Sequence, residues 1–188
     1  MLLPTNFTLR SSTVYETSVS LGIMSSAAFG VCPQCLNPSS KVHSYYKRKV
    51  RDLPISGKEV TMHLSVRKFF CQQTDCPRKI FAERFDTSLM PYERRLERSN
   101  NLIREIGLSC GSKPGAKVCK VIALPVSTST ILRVIKKTPL PSTETPTILG
   151  IDDFAFRKGN TYGTILVDVE RRKPIDLLPD REGKTLEA

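Results

Sequence analysis

Apolar and polar residues alternate most clearly in the first half of the chain. Thr61 to Cys71 sets Met62, Leu64 and Val66 against polar neighbours, and Tyr45 to Leu53 has the same extended character. Both stretches predict β-strands, joined by a turn at Pro54-Ile55-Ser56-Gly57. From Met90 the period changes. Tyr92, Leu96, Ser99, Leu102, Ile103 and Ile106 recur every three to four residues, with Glu93, Arg94, Arg95, Glu97, Arg98 and Arg104 between them, which predicts an amphipathic helix. A short helix over Gly115 to Ala123 is expected next, then a break at Leu124-Pro125-Val126. A further helix is opened by Ser127-Thr128-Ser129-Thr130 as an N-cap and continued by Ile131 to Lys136. Helix, turn and helix in this order would present Thr128, Ser129, Thr130 and Arg133 to a DNA groove, although many helical hairpins share the layout.

Thr138 to Thr147, with three prolines and several hydroxyl residues, cannot continue a helix and reads as a linker. Strands are predicted beyond it at Ile148 to Phe156, Thr161 to Val169 and Ile175 to Leu178, and a helix is expected to begin within Glu182 to Ala188. Three strands joined by hairpins and followed by a helix begin an α/β sheet. The expected organisation is therefore multi-part α+β: a β-rich module over 1–88, a helical segment over 89–137, a linker over 138–147, and the start of an α/β domain over 148–188.

Charge sharpens this division. Residues 1–150 hold 22 Lys/Arg and 10 Asp/Glu, net +12, whereas residues 151–188 hold 7 and 8, net −1. A basic excess of that size draws the front of the chain toward a polyanion, because neutralising phosphates releases condensed counterions. In a strand of period two, Lys47, Lys49 and Arg51 point to one side as a basic ridge, which could track phosphates or equally serve as a solvated sheet face. No run approaches the roughly 18 apolar residues of a membrane span, and the first thirty residues lack the pattern of a signal peptide. A soluble, cytoplasmic protein with no membrane partner is expected.

The six cysteines split by spacing. Cys32 and Cys35 form Cys-Pro-Gln-Cys, and Cys71 and Cys76 bracket Gln-Gln-Thr-Asp. Four thiolates from two such knuckles supply the closed tetrahedral sulfur shell of a structural Zn2+, with hairpins in the insertion between them, as in a zinc ribbon. Disulfides are the competing reading, yet they belong to exported chains. A thioredoxin-like role for Cys32 and Cys35 lacks the surrounding strand and helix pattern. Cys110 and Cys119 lie outside the constellation and read as small apolar side chains. The only histidines, His43 and His63, receive no ligand role, since four cysteines complete the shell.

Asp152 and Asp153 stand in a strand whose apolar residues favour burial, and burying an unpaired ionised group is costly. A hard cation such as Mg2+ would offset that cost. Pairing with Arg157 or Lys158, or solvation at a strand end, would do so as well.

The order of these parts resembles the ISL-three family of bacterial insertion-sequence transposases over essentially the whole chain. The matching stretches are CPQC at 32–35, VHSYYKRKVRDLPISGKEV from Val42, VRKFFC from Val66, CPRKIFAERF from Cys76 and, most specifically, GIDDFAFRKGNTYGTILVDVERRKPIDLLPDR from Gly150 to Arg181. The resemblance implies a zinc-binding module, a helix-turn-helix and an RNase H-like domain in which Asp, Asp and Glu bind two Mg2+. It further implies cleavage and strand transfer at terminal inverted repeats of double-stranded DNA, by a homo-oligomeric, nucleoid-associated complex. Cys32, Cys35, Cys71 and Cys76 fall at the family's zinc positions. Gly150-Ile151-Asp152-Asp153 matches its first acidic strand, with Asp152 as catalytic acid and Mg2+ ligand and Asp153 as the fallback if the register is off by one. Of the later carboxylates, Asp168, Asp176, Asp180, Glu182 and Glu187, none falls where the family's pattern puts the second or third acid. The expectation is thus a truncated transposase that binds DNA without cutting, with a free-standing zinc-containing regulator or transposition inhibitor as the alternative. The short sheet is expected to leave an uncovered apolar face at Ile148, Phe154, Phe156 and Ile165.

Overall fold

A computed structural model describes residues 7–85, 89–139 and 144–186. The chain divides into two compact units, Met1–Thr138 and Pro139–Ala188. Among the described residues no helix is long and apolar enough to cross a membrane.

The first unit opens with an element that went unassigned in the sequence, an antiparallel hairpin of β1 (Phe7–Val14) and β2 (Ser18–Ser25). Val19, Leu21 and Ile23 alternate with Ser18, Ser20 and Gly22, which buries one face of β2. A small ladder of β3 (Gly30–Val31) and β4 (Pro38–Ser39) follows, and then the long hairpin of β5 (Val42–Ile55) and β6 (Lys58–Phe70). β2 joins β6 in parallel, and β7 (Ile80–Ala82) pairs with the far end of β6. The sheet therefore runs β1-β2-β6-β5, with β6 at its centre.

The turn of the long hairpin is shorter than the pattern suggested. Ile55 pairs with Lys58, so Pro54 and Ile55 are strand residues and Ser56-Gly57 alone turns the chain. Both have positive φ, 49° and 72°, the two-residue geometry whose twist matches the flanking strands and which glycine adopts without strain. On the inner face of the sheet, Leu21, Ile23, Val50, Met62, Leu64 and Val66 pack with Leu89 and Leu96 into the main core.

The expected helix from Met90 begins later, as α1 (Glu97–Cys110). Tyr92 has φ 63° and is 93% exposed, which breaks the helical path. Arg94 to Leu96 instead run alongside the edge strand: Arg51 N donates to Arg94 O (2.9 Å) and Leu96 N donates to Arg51 O (3.0 Å). Backbone groups at the edge of a sheet must find partners, and this demand outweighs the local helical periodicity. Asp52, buried on the inner face, accepts from Arg98 Nε at 2.6 Å and so pins α1 to β5.

The second predicted helix forms as α2 (Ser112–Val121), shifted toward the N-terminus of its expected span, and the third as α3 (Thr128–Lys136). Ser127 caps α3, its hydroxyl accepting from Thr130 N at 3.2 Å. Ile103, Cys119, Leu124 and Ile131 form the core of the three helices, while Cys110 is exposed. Gly107 lets α1 and α3 touch, since a Cβ there would lie 2.4 Å from Ile131 Cγ2.

The second unit is a meander of β8 (Leu149–Arg157), β9 (Thr161–Asp168) and β10 (Lys173–Leu178), followed by the short α4 (Gly183–Leu186). Part of the predicted linker, 140–143, and the last residues of the predicted final helix, 187–188, lie outside the described residues. The apolar setting expected around Asp152 and Asp153 does not form. Ile148, Leu149, Ile151 and Phe156 are exposed, because among the described residues of this unit the only helix is four residues long.

Candidate metal centre and nucleic-acid interface

Two knuckles bring the metal ligands together. In the first, Cys32 N donates to Asn37 O and Leu36 N donates to Cys32 O, with Leu36 at φ 60°, so the chain reverses between β3 and β4 and aims Cys32 and Cys35 inward. In the second, between β6 and β7, Cys71 N donates to Lys79 O and Cys76 N donates to Gln73 O. The four Sγ atoms lie within 4.8 Å of one another, with Cys32 and Cys76 4.0 Å apart and Cys35 and Cys71 3.5 Å apart. Sulfurs placed tetrahedrally around zinc at about 2.3 Å are separated by about 3.8 Å, so the cage fits Zn2+. All four cysteines are free thiols, not disulfides.

Without a cation the thiols hold their protons unequally. The backbone N–H of Asn37 and the Cys71 sulfur together draw Cys35 down to about 6 against the effect of burial. At Cys71 the backbone N–H of Gln73 pulls downward, yet burial and the neighbouring sulfurs outweigh it and push the thiol up to about 12. Burial likewise raises Cys76. One thiolate forms readily and discourages the others, whereas a divalent metal supplies the charge that lets all four ionise.

Phe69 and Phe81 stack beneath the cage with centroids 5.8 Å apart. Arg67 lies over the Phe69 ring, 5.0 Å from its centroid, and forks onto Glu83: Nη2 donates to Oε1 at 2.6 Å and Nε donates to Oε2 at 3.1 Å. This ion pair ties the metal lobe to the large sheet, because Arg67 Nη2 also donates to Ala27 O. His43 stacks edge-on against Phe70, outside the four-sulfur cluster.

The predicted basic ridge lies on the outer face of the sheet. Lys47, Lys49 and Arg51 are exposed, while Val50 and Asp52, which alternate with Arg51, are buried. Arg51 Nη1 donates to Pro125 O (3.0 Å) in the loop that leads into α3, and Lys137 at the end of α3 pairs with Glu93 (2.7 Å). Ridge and third helix thus belong to one continuous surface. On α3, Ser129, Arg133 and Lys136 face solvent; Thr128 and Thr130 are half-buried, and the Thr130 hydroxyl bonds Ser127 Oγ. Three further arginines, Arg48, Arg94 and Arg95, line a cleft at the edge of the sheet beside this ridge, and the sequence pattern does not bring them together. The consecutive pair at 94 and 95 was the available signal, hidden by its apparent place on a helix.

In the second unit Asp152 and Asp153 point to opposite faces of β8. Asp152 shares a face with Ile148, Phe154, Phe156 and Ile165, whereas Asp153 pairs with Arg181 at 3.0 Å. Asp168 is a structural acid. It accepts from Arg171 N (2.9 Å) and Arg171 Nη1 (3.0 Å), and the backbone bond, with the guanidinium beside it, holds its carboxyl below the usual carboxylate range. Apart from the cysteines, the described residues gather no group of three or more metal-binding side chains, so as they stand they do not form a two-Mg2+ centre.

Residues 28–76 match the family described as the zinc-finger of transposase IS204/IS1001/IS1096/IS1165. The chain is also 28% identical over 171 residues to the transposase for insertion sequence element IS1001 of Bordetella parapertussis. That alignment takes in 91% of this chain and 41% of the relative, so the chain spans about two fifths of the length of the protein it matches. No solved structure matches. The zinc finger, its closed four-cysteine cluster and a likeness extending over 91% of the length mark this chain as a relative of the ISL-three-family insertion-sequence transposases.

Proposed function

We propose that this chain is the DNA-recognising part of an insertion-sequence transposase, which holds the terminal inverted repeats of its element as double-stranded DNA. The observation that carries this reading is a single surface on which a capped helix, α3, stands beside a row of exposed cations on β5. It belongs to a unit with 22 Lys/Arg against 9 Asp/Glu. Helices α2 and α3 act as a helix-turn-helix, with Thr128, Ser129, Thr130 and Arg133 entering the major groove and Lys47, Lys49 and Arg51 following the phosphates. The zinc centre is structural and fixes the outer end of the sheet. Two copies, one on each repeat, would form the transposition complex.

In the second unit Asp152 is the better candidate for the first catalytic acid. Among the described residues it has no ion-pair partner, whereas the Asp153 carboxylate is neutralised by Arg181. Cleavage requires further carboxylates beside it, and the described residues do not gather them. This observation favours a chain that binds DNA without cutting, the behaviour of a transposition inhibitor.

The test is binding of the zinc-loaded chain to repeat-end and random duplexes over a range of salt. Tighter binding to the repeat, lost in Arg133→Ala while random binding persists, is expected. Equal binding to both duplexes at every salt concentration refutes the recognition role. In an Mg2+ assay on repeat-end DNA, cutting by this chain that disappears in Asp152→Ala would refute the non-cutting reading.

A further inference from the structure

The strongest unexplained feature is a concentration of positive charge where the edge strand, the segment before α1 and α3 meet. Arg48, Lys49, Arg51, Arg94 and Arg95 line one cleft of about 580 Å3. Its one acid, Glu93, is engaged by Lys137. Two of the cations are held in place by backbone: Arg48 Nη2 donates to Glu93 O (2.6 Å), and Arg51 Nη1 donates to Pro125 O (3.0 Å). Arg95 is in a different state. Its Nε is buried without a hydrogen-bond partner, a costly state for a charged donor. Burial lowers its proton affinity, and the nearby Arg133 and Arg51 lower it further. An anion bound among these like charges would satisfy the buried donor and offset their mutual repulsion.

We propose that this cleft is a phosphate cradle, in which Arg95, with Arg51 and Arg94, clamps one backbone phosphodiester of the DNA duplex read by α3. The inference rests on the DNA-binding reading and deepens it. Guanidinium forks match the oxygens of a phosphodiester and favour it over a diffuse negative surface. Arg51 is tied to the loop that carries the cap of α3, so a phosphate held here fixes the depth and register at which that helix enters the groove. The zinc-bearing sheet and the recognition helix would then grip the backbone as one rigid piece.

The experiment measures affinity of the full zinc-loaded chain for a fluorescein-labelled duplex of arbitrary sequence across a salt series. Wild type is compared with Arg95→Gln, Arg94→Gln and the matched charge control Lys173→Gln, an exposed lysine on β10 of the second unit, outside the cleft. Loss of one phosphate contact lowers the slope of log K against log salt by about 0.9. Arg95→Gln is expected to show that drop and also to melt no lower than wild type, because the substitution relieves an unsatisfied buried charge. Arg94→Gln, on an exposed side chain, should give the same drop without a folding effect. Unchanged slopes in both variants, with wild type binding normally, overturn the cradle and leave the function standing. So does an equal drop in Lys173→Gln, or a lower melting point in Arg95→Gln with its slope intact. Absence of salt-dependent binding by wild type overturns both.

Discussion

Replacing Glu83 by glutamine removes one charge from the most buried ion pair among the described residues, in which the Arg67 and Glu83 side chains are 11% and 2% exposed. The glutamine oxygen can keep one of the two guanidinium bonds, but its amide then faces an N–H donor, and the Arg67 charge loses its counterion over the Phe69 ring. Breaking a buried pair from one side costs about 3–5 kcal/mol, and the surviving hydrogen bond places this variant near the lower end, about 3 kcal/mol. With a urea m-value of about 2 kcal/mol/M, the unfolding midpoint should fall by about 1.5 M. The chain has no tryptophan, so far-UV circular dichroism is the appropriate probe, at fixed zinc and with reductant present. Arg67→Met with Glu83→Met should recover most of the loss, because it removes both charges together. A Glu83→Gln variant within about 0.5 kcal/mol of wild type, the range of an ordinary surface substitution, would refute the view that this pair locks the metal lobe to the sheet.

Elemental analysis should find one Zn2+ per chain, absent from Cys71→Ala, and chelation should abolish the ordered packing of Phe69 on Phe81, read from their ring proton shifts. Gly107→Ala should destabilise the three-helix core by about 1–3 kcal/mol in thermal unfolding, since the new methyl meets Ile131, with less loss in an Ile131→Ala background. Ser127→Ala should cost about 1 kcal/mol, seen as faster amide exchange at the start of α3. Asp168 has a folded-state value below the ordinary 3.8, so its stabilisation is complete above that value and disappears as pH falls through the lowered one. The protection of β9 amides, taken relative to their intrinsic exchange rates at each pH, should therefore fall in acid, and Asp168→Asn should flatten that dependence.

Much was settled by local chemistry. The two cysteine spacings already determine the knuckles that the structure folds into one sulfur cage, because a turn of two or four residues constrains its own ends. Serine before an apolar run sets the start of α3, and Ser-Gly with two positive φ values sets the hairpin turn, although the strand pattern alone extended that turn back to Pro54. The alternation of β8 suffices to send Asp152 and Asp153 to opposite faces.

Tertiary structure decided what depends on partners distant in sequence. Arg94 to Leu96 carry a helical pattern yet lie extended, because the open edge of β5 needs hydrogen bonds that only this segment supplies. The parallel pairing of β2 with β6 joins residues some forty positions apart, and local periodicity holds no information about such a register. Arg67 and Glu83, Asp52 and Arg98, and the group around Arg95 look in the sequence like scattered surface charges; folding buries them or crowds them together. Burial and proximity give a charge its energetic weight, and both come from residues brought close by the fold, not from neighbours along the chain.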